Sequence, residues 1–287
     1  MTSLTIDHKT TFTFNEPVSF GVHRMMLRPR ESRELRLMRF ALSVKPSATL
    51  RWTHDIFGNA IATAQVEEMS DQLIIHASMK LDVNSAAWPV FDIAASALEY
   101  PFLYSEAEWL DLGALTQQQY ADPEGRLAAW AAAFKIAERT DTLAFLKDLS
   151  LGVEAAVTYQ VREEEGTQSP LETLDRGIGS CRDMAVLFAE AARSLGLGAR
   201  IVSGYLFRRG LDPALITDAG STHAWAEIFI PGAGWVTFDP TNRSVGNFNL
   251  VPVAVARTIE QIMPVTGSFV GATNAFRSMN VEVSVVE

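Results

Sequence analysis

Apolar and polar side chains alternate one by one through much of the first hundred residues. Phe12 and Phe14 alternate with Thr11 and Thr13, and Met38, Phe40, Leu42 and Val44 alternate with Arg39, Ala41, Ser43 and Lys45. The longest run places Leu73, Ile75, Ala77, Met79, Leu81 and Val83 on one face and Ile74, His76, Ser78, Lys80 and Asp82 on the other. A period of two is that of a half-buried strand. Between these runs, Asp55-Ile56-Phe57-Gly58-Asn59 supplies turn chemistry, since Gly and Asn tolerate positive φ. The pattern predicts a β-rich module over residues 1–100, built as an antiparallel sandwich or sheet.

The alternation weakens from Asn84 to Asp122, where Trp88-Pro89, Tyr100-Pro101 and Asp122-Pro123 punctuate the chain. This reads as a connecting segment that wraps on its neighbours. Helical spacing then takes over. Leu127, Trp130, Phe134 and Ala137 share one face, and Leu146, Leu149, Val153 and Ala156 share another behind a cap at Asp141. Arg162 to Gln168 reads as a charged loop, and Ser169-Pro170 opens a short segment leading to Gly177 and Gly179. After Cys181, the residues Met184, Leu187, Phe188, Ala191 and Leu195 recur at three- and four-residue steps, with Gly196 as a left-handed stop. Strands return at residues 199–207, 222–230, 234–238 and 281–286. Strands, helices, a cysteine helix and strands again predict an α+β catalytic domain over residues 101–287 behind the all-β module.

Composition narrows the chemistry. A formal charge of −10 over 287 residues argues against nucleic acid or an anionic membrane as partner. The arginines between Arg24 and Arg39 are the local exception and read as solvated strand edges. The first residues have no basic start followed by an apolar run, and no stretch of about 18 uninterrupted apolar residues occurs. A single cysteine fits a reducing compartment, so the expectation is a cytoplasmic protein of open oligomeric state. One Cys and scattered His cannot supply a usual metal-ligand set, and no calcium loop of the D-x-D-x-D-G type is present. No metal or cofactor is expected.

Cys181 falls where a glycine-rich turn becomes a helix. There the helix dipole and unpaired backbone N–H groups favour a thiolate and suit an oxyanion. A cysteine nucleophile needs a base, and the base an orienting group. Of the five histidines, His8, His23, His54 and His76 read as surface or turn residues of the β module. His223 begins a strand whose hairpin partner ends at Asp239. If Ile230 pairs with Gly234 across a three-residue loop, paired numbers sum to 464. Asp239 then lies diagonal to His223 on the same face, about 7–8 Å away at the backbone. A two- or four-residue loop places it on the opposite face instead. Gly232 or Gly234 can supply the left-handed residue such a loop needs. The catalytic reading expects this odd-numbered face to be turned towards the Cys181 helix. Trp225, on that face, is placed as a groove-lining residue, and Trp235 is the stronger candidate for core packing. Asp183, in the helix's first turn, reads as a complement to the helix dipole.

The motifs GSCRDMA at 179–185, SGY at 203–205 and THAWAEIFIPGAGWVTFDPTN at 222–242 resemble the bacterial transglutaminase-like proteins, often described as candidate cysteine proteases. The resemblance is strongest over residues 158–242. LRPR at 27–30 and FGN at 57–59 resemble the β-rich N-terminal region that commonly precedes this core. The resemblance implies a papain-like core in which a nucleophile helix packs on an antiparallel sheet. It implies Cys181 as nucleophile, His223 as general base and Asp239 as orienting carboxylate, with Tyr159 as a candidate second oxyanion donor. The implied reaction is attack on an amide of a peptide or protein, giving a thioester. Water resolves the thioester in a peptidase or amidase, an amine in a transglutaminase, and a non-catalytic binding module is the remaining reading.

Overall fold

The computed structural model describes residues 2–86, 89–161, 166–207 and 221–287. Trp88 and residues 162–165 of the expected charged loop lie outside the described residues.

The strand-rich part forms two antiparallel sheets. In the first, Thr2–Phe20 pairs with Ser70–Val83 on one side and with Phe276–Val286 on the other, and Ser70–Val83 also pairs with Leu35–Lys45. The last strand of the chain thus completes the sheet that the first begins. The second sheet runs Val265–Thr266, His23–Met25, Ala60–Val66, Ala48–His54. The alternation from Leu73 to Val83 is realised residue by residue, since all six apolar members are buried. They join a core with Met25, Ala62 and Ala64 of the second sheet.

Two of the four histidines expected at the surface are buried: His8 and His23. His8 occupies an inward position of its strand, where Tyr205 Oη and Thr10 Oγ1 meet its two ring nitrogens at 3.0 and 3.1 Å. His23 lies among Phe12 and Phe20, over Gly267, where any side chain would collide with the ring. Among the arginines, Arg33, Arg36 and Arg39 are exposed as expected, whereas Arg30 is drawn into the joint between the strand-rich part and the core.

The core is one antiparallel sheet in the order Ser244–Val245, Gly234–Asp239, Ser221–Ile230, Ala199–Leu206, Leu250–Ala256. The last of these strands carries Pro252, a poor strand residue tolerated at edges and bulges. Here it is an edge strand, and its register slips where Gly204 faces Pro252. Gly204 is required by contact: a Cβ there would lie 2.1 Å from the Val251 carbonyl oxygen and 2.7 Å from the Trp225 ring.

Helices Arg126–Ala132, Thr142–Ala156, Pro170–Arg176 and Cys181–Ser194 accompany this sheet. Asp141 caps Thr142–Ala156 as expected, accepting the Ala144 N–H at 2.7 Å. The helix expected to carry Phe134 and Ala137 ends at Ala132. The chain turns there so that the Phe134 ring covers Gly152, whose missing side chain leaves the room. The connecting segment does wrap its neighbours: Tyr104 Oη donates to the Phe229 carbonyl at 2.8 Å and accepts the Gly198 N–H at 2.9 Å. Among the described residues, no helix is long and apolar enough to cross a membrane.

Candidate active site

The turn before Cys181 is built from local signals. Ser169 caps Pro170–Arg176 by accepting the Glu172 N–H at 3.2 Å, and Gly177 ends that helix in the left-handed region at φ 61°. Ile178–Gly179 then pairs in parallel with Thr158–Tyr159. Gly179 is hemmed in by Asp183, Val157 and Thr173, so a larger residue would press on all three side chains. Ser180 takes the N-cap position and Cys181 is the first helical residue.

Asp183 does more than complement the dipole. Its buried carboxylate accepts the Ser180 N–H and Oγ–H, each at 2.8 Å, and the Gln168 N–H at 2.8 Å. The helix entry is thereby fixed to the chain on both sides. At the other end, Gly196 has φ 81°, its N–H meets the Arg193 carbonyl, and the Leu197 N–H meets that of Ala192. This is a Schellman stop. A buried pair on the helix, Glu190 and Arg193 at 2.5 Å, has its remaining groups satisfied by backbone at Gln119, Tyr120, Leu115, Ala199 and Arg257. A buried ion pair holds only when its other hydrogen-bonding groups are met in this way.

The hairpin carries the other two residues in the expected register. Ile230 pairs with Gly234 and Ala226 with Phe238, so paired numbers sum to 464 across a three-residue loop. Gly232 and Gly234 both take positive φ, 84° and 73°. His223 Nε2–H donates to Asp239 Oδ2 at 2.8 Å, and both side chains are buried. Asp239 is itself held: Oδ1 accepts the Thr241 N–H at 3.1 Å, and Oδ2 accepts Asn242 Nδ2–H at 2.7 Å.

The Cys181 thiol is hydrogen-bonded to the His223 ring and to the Ala224 N–H. With Nε2 committed to Asp239, Nδ1 is the nitrogen left for sulfur. Burial pushes the thiol pKa up, but the His223 hydrogen bond and charge and the Ala224 N–H outweigh it, so the net shift is downward. Burial likewise opposes charge on His223, yet the Asp239 carboxylate and the sulfur raise its pKa to about 10. Each shift favours the charged form of its group, a thiolate beside an imidazolium.

The meeting differs in one respect from expectation. Phe188 of the helix packs on Phe238, with ring centroids 5.3 Å apart, and Phe238 pairs with Ala226. The helix body thus lies on the even-numbered face of the His223 strand. His223 and Trp225 stand on the opposite face, and sulfur reaches the imidazole from the helix end, beside the Ala224 N–H. Neither tryptophan takes its expected place. Trp225 is fully buried with Val202, Leu206, Leu250 and Val255 and stacks on His223, centroids 6.0 Å apart. Trp235 is only half-buried, capped by the Arg200 guanidinium at 4.2 Å.

Asn242 is the residue that sequence reading passed over. Its Nδ2 lies 2.7 Å from Asp239 Oδ2 and 3.3 Å from His223 Nε2, and the only signal for it was its place at the end of FDPTN. Tyr159, half-buried, pairs through its backbone with Gly179, two residues before the thiol. An open cleft of about 620 Å³ is lined by Asp7, Lys9, His76, Thr222 and residues 281–284. Its lining residue from the core sheet is Thr222, whose side chain alternates to the face away from His223. Among the described residues, no three His, Cys, Asp or Glu side chains gather as a metal site would require.

A thiol at a helix start, joined to a buried His–Asp pair on an antiparallel sheet, defines a class of folds that houses cysteine-dependent hydrolases and acyltransferases. Within it, residues 129–240 match the transglutaminase-like superfamily and residues 4–82 match the bacterial transglutaminase-like N-terminal region. The chain thus carries a transglutaminase-like core domain behind a bacterial transglutaminase-like N-terminal region. It is similar over its whole length to a candidate cysteine protease from Cytophaga hutchinsonii, with TM-score 0.75 and 18% identity, covering 100% of this chain and 92% of that one. An uncharacterized protein of Mycobacterium tuberculosis is 26% identical over 97% of this chain and 91% of its own. A protein-glutamine gamma-glutamyltransferase of Pseudomonas aeruginosa is 32% identical over 92 residues, 31% of this chain and 13% of its own.

Proposed function

We propose that the protein cleaves amide or isopeptide bonds of a peptide or protein through a thioester on Cys181. The observation that carries this reading is the hydrogen-bonded line from the Cys181 thiol through His223 to the buried Asp239. In the first half, the thiolate attacks the amide carbonyl carbon and a C–S bond forms. As the C–N bond breaks, the His223 imidazolium gives its proton to the departing amine. In the second half, neutral His223 takes a proton from water as its oxygen attacks the thioester. The acid leaves and the thiolate–imidazolium pair is restored. Asp239 holds the imidazole in one orientation and stabilises its charge. The Cys181 N–H, in a first turn that offers no intrahelical acceptor, is the proposed first oxyanion donor, with Tyr159 as the second.

Transfer of the acyl group to an amine instead of water is favoured by one observation, the local similarity to a protein-glutamine gamma-glutamyltransferase. The two are separated by product: free acid from a peptide library supports hydrolysis, and a labelled primary amine fixed into glutamine-containing protein supports transfer. Both readings require rapid alkylation of Cys181 by iodoacetamide at neutral pH and loss of turnover in Cys181→Ala. An ordinary thiol rate with turnover intact in Cys181→Ala overturns both, and an ordinary thiol rate with no turnover and no thioester in the wild-type chain leaves a binding module.

A further inference from the structure

The loop from Asp55 to Asn59 belongs to the strand-rich part, yet it is built into the back of the catalytic sheet. Asp55 Oδ1 accepts the Phe57 and Asn59 N–H groups, each at 2.9 Å, and Oδ2 accepts Asn59 Nδ2–H at 2.8 Å. Gly58 allows the turn with φ 72°. The Asn59 amide is fully buried and acts as a strand partner for Val255: Nδ2 donates to the Val255 carbonyl at 2.7 Å and Oδ1 accepts the Val255 N–H at 2.9 Å. Arg30 adds a second pin. Its Nη1 donates to Asn59 Oδ1 at 2.7 Å and to the Phe57 carbonyl at 3.0 Å, while its backbone N–H meets Pro252 at 2.8 Å. With two donations and two acceptances, Asn59 has its hydrogen-bonding capacity filled.

This pinning delivers Phe57. Val255 pairs with Val202 and Val202 with Trp225, and these side chains, with Leu206 and Leu250, form a buried cluster on which Phe57 packs. Trp225 in turn stacks on His223. The indole Nε1 has no hydrogen-bond partner among the described residues. Packing within this cluster therefore sets the angle of the indole, and Phe57 packs against the cluster from outside the catalytic sheet.

We propose that Phe57 is a positioning residue for His223, held in place by Arg30 and Asn59, so that the N-terminal region takes part in setting the imidazole that activates Cys181. The proposal rests on the functional reading above. The test measures the rate of Cys181 alkylation by iodoacetamide from pH 5 to pH 10, with thermal unfolding, in the full chain and in Phe57→Ala, Phe57→Leu, His223→Ala and Leu81→Ala. The Phe57 variants are expected to raise the apparent pKa of the thiol by about one unit, a roughly tenfold slower reaction on the acid side. Leu81→Ala, in the first sheet's core, is expected to lower Tm without moving the profile. Should Phe57→Ala not fold, Phe57→Leu carries the test. A depressed wild-type thiol pKa that responds to His223→Ala but not to Phe57→Leu overturns this inference alone. A wild-type profile like that of a free thiol, indifferent to His223→Ala, overturns the functional reading and the inference with it.

Discussion

At the scale of single residues the site joins a part-exposed thiol to a buried His–Asp pair. His223 titrates near 10 because Asp239 and the sulfur outweigh burial. An imidazolium raised above its ordinary pKa of about 6.5 is present throughout neutral pH and is lost only as pH rises through the folded value. The predicted pH–rate profile for turnover therefore has an alkaline limb near pH 10, and Cys181 alkylation persists below the range in which free thiols lose reactivity. Asp239→Asn removes the carboxylate while keeping an acceptor for the Thr241 N–H. It is expected to slow alkylation at pH 7 by tenfold or more, with circular dichroism unchanged. Asn242→Ala removes one hydrogen bond to Asp239 Oδ2, and a loss in kcat/KM of about tenfold is expected from a bond to a charged group worth about 1.5 kcal/mol.

At the scale of elements, strong local patterns were legible and long-range packing was not. The alternation from Leu73 to Val83 and the Ile230–Gly234 register both follow from a period of two plus a glycine-bearing turn, and both appear as read. The strand Leu250–Ala256 was missed because Pro252 argues against a strand unless its edge position and bulge are known. The burial of His8 and Trp225 was equally hidden, since each is decided by partners distant in the chain, Tyr205 for one and Val202 with Leu250 and Val255 for the other. The face on which the helix lies was misread for the same reason: nothing local to His223 records Phe188. At Gly204 three strands meet, with backbone of Val251 and the Trp225 ring against it. Gly204→Ala is expected to cost about 3 kcal/mol, because backbone cannot yield as a flexible side chain does. That corresponds to a fall in Tm of roughly 10 °C by calorimetry.

At the scale of the whole molecule, the candidate site depends on segments that the chain brings together from three regions: Cys181 on its helix, the His223–Asp239 hairpin, and the Phe57 loop behind them. The joint between the strand-rich part and the core also holds His8 neutral, its pKa lowered to about 4 by burial and by the nearby His76. The unfolded chain binds a proton at His8 below about pH 6.5, whereas the folded chain does so only near pH 4. Stability is thus predicted to fall as pH drops between these values, by about 3 kcal/mol in all. Urea unfolding at pH 7 and pH 4.5 measures this, and His8→Gln is expected to flatten the difference. The central claim is tested most directly by intact-mass spectrometry of the chain quenched during turnover of an activated peptide ester. The account predicts one acyl adduct, mapped to Cys181, absent in Cys181→Ala and formed far more slowly in His223→Ala. Turnover without an adduct, or an adduct that survives Cys181→Ala, would contradict it.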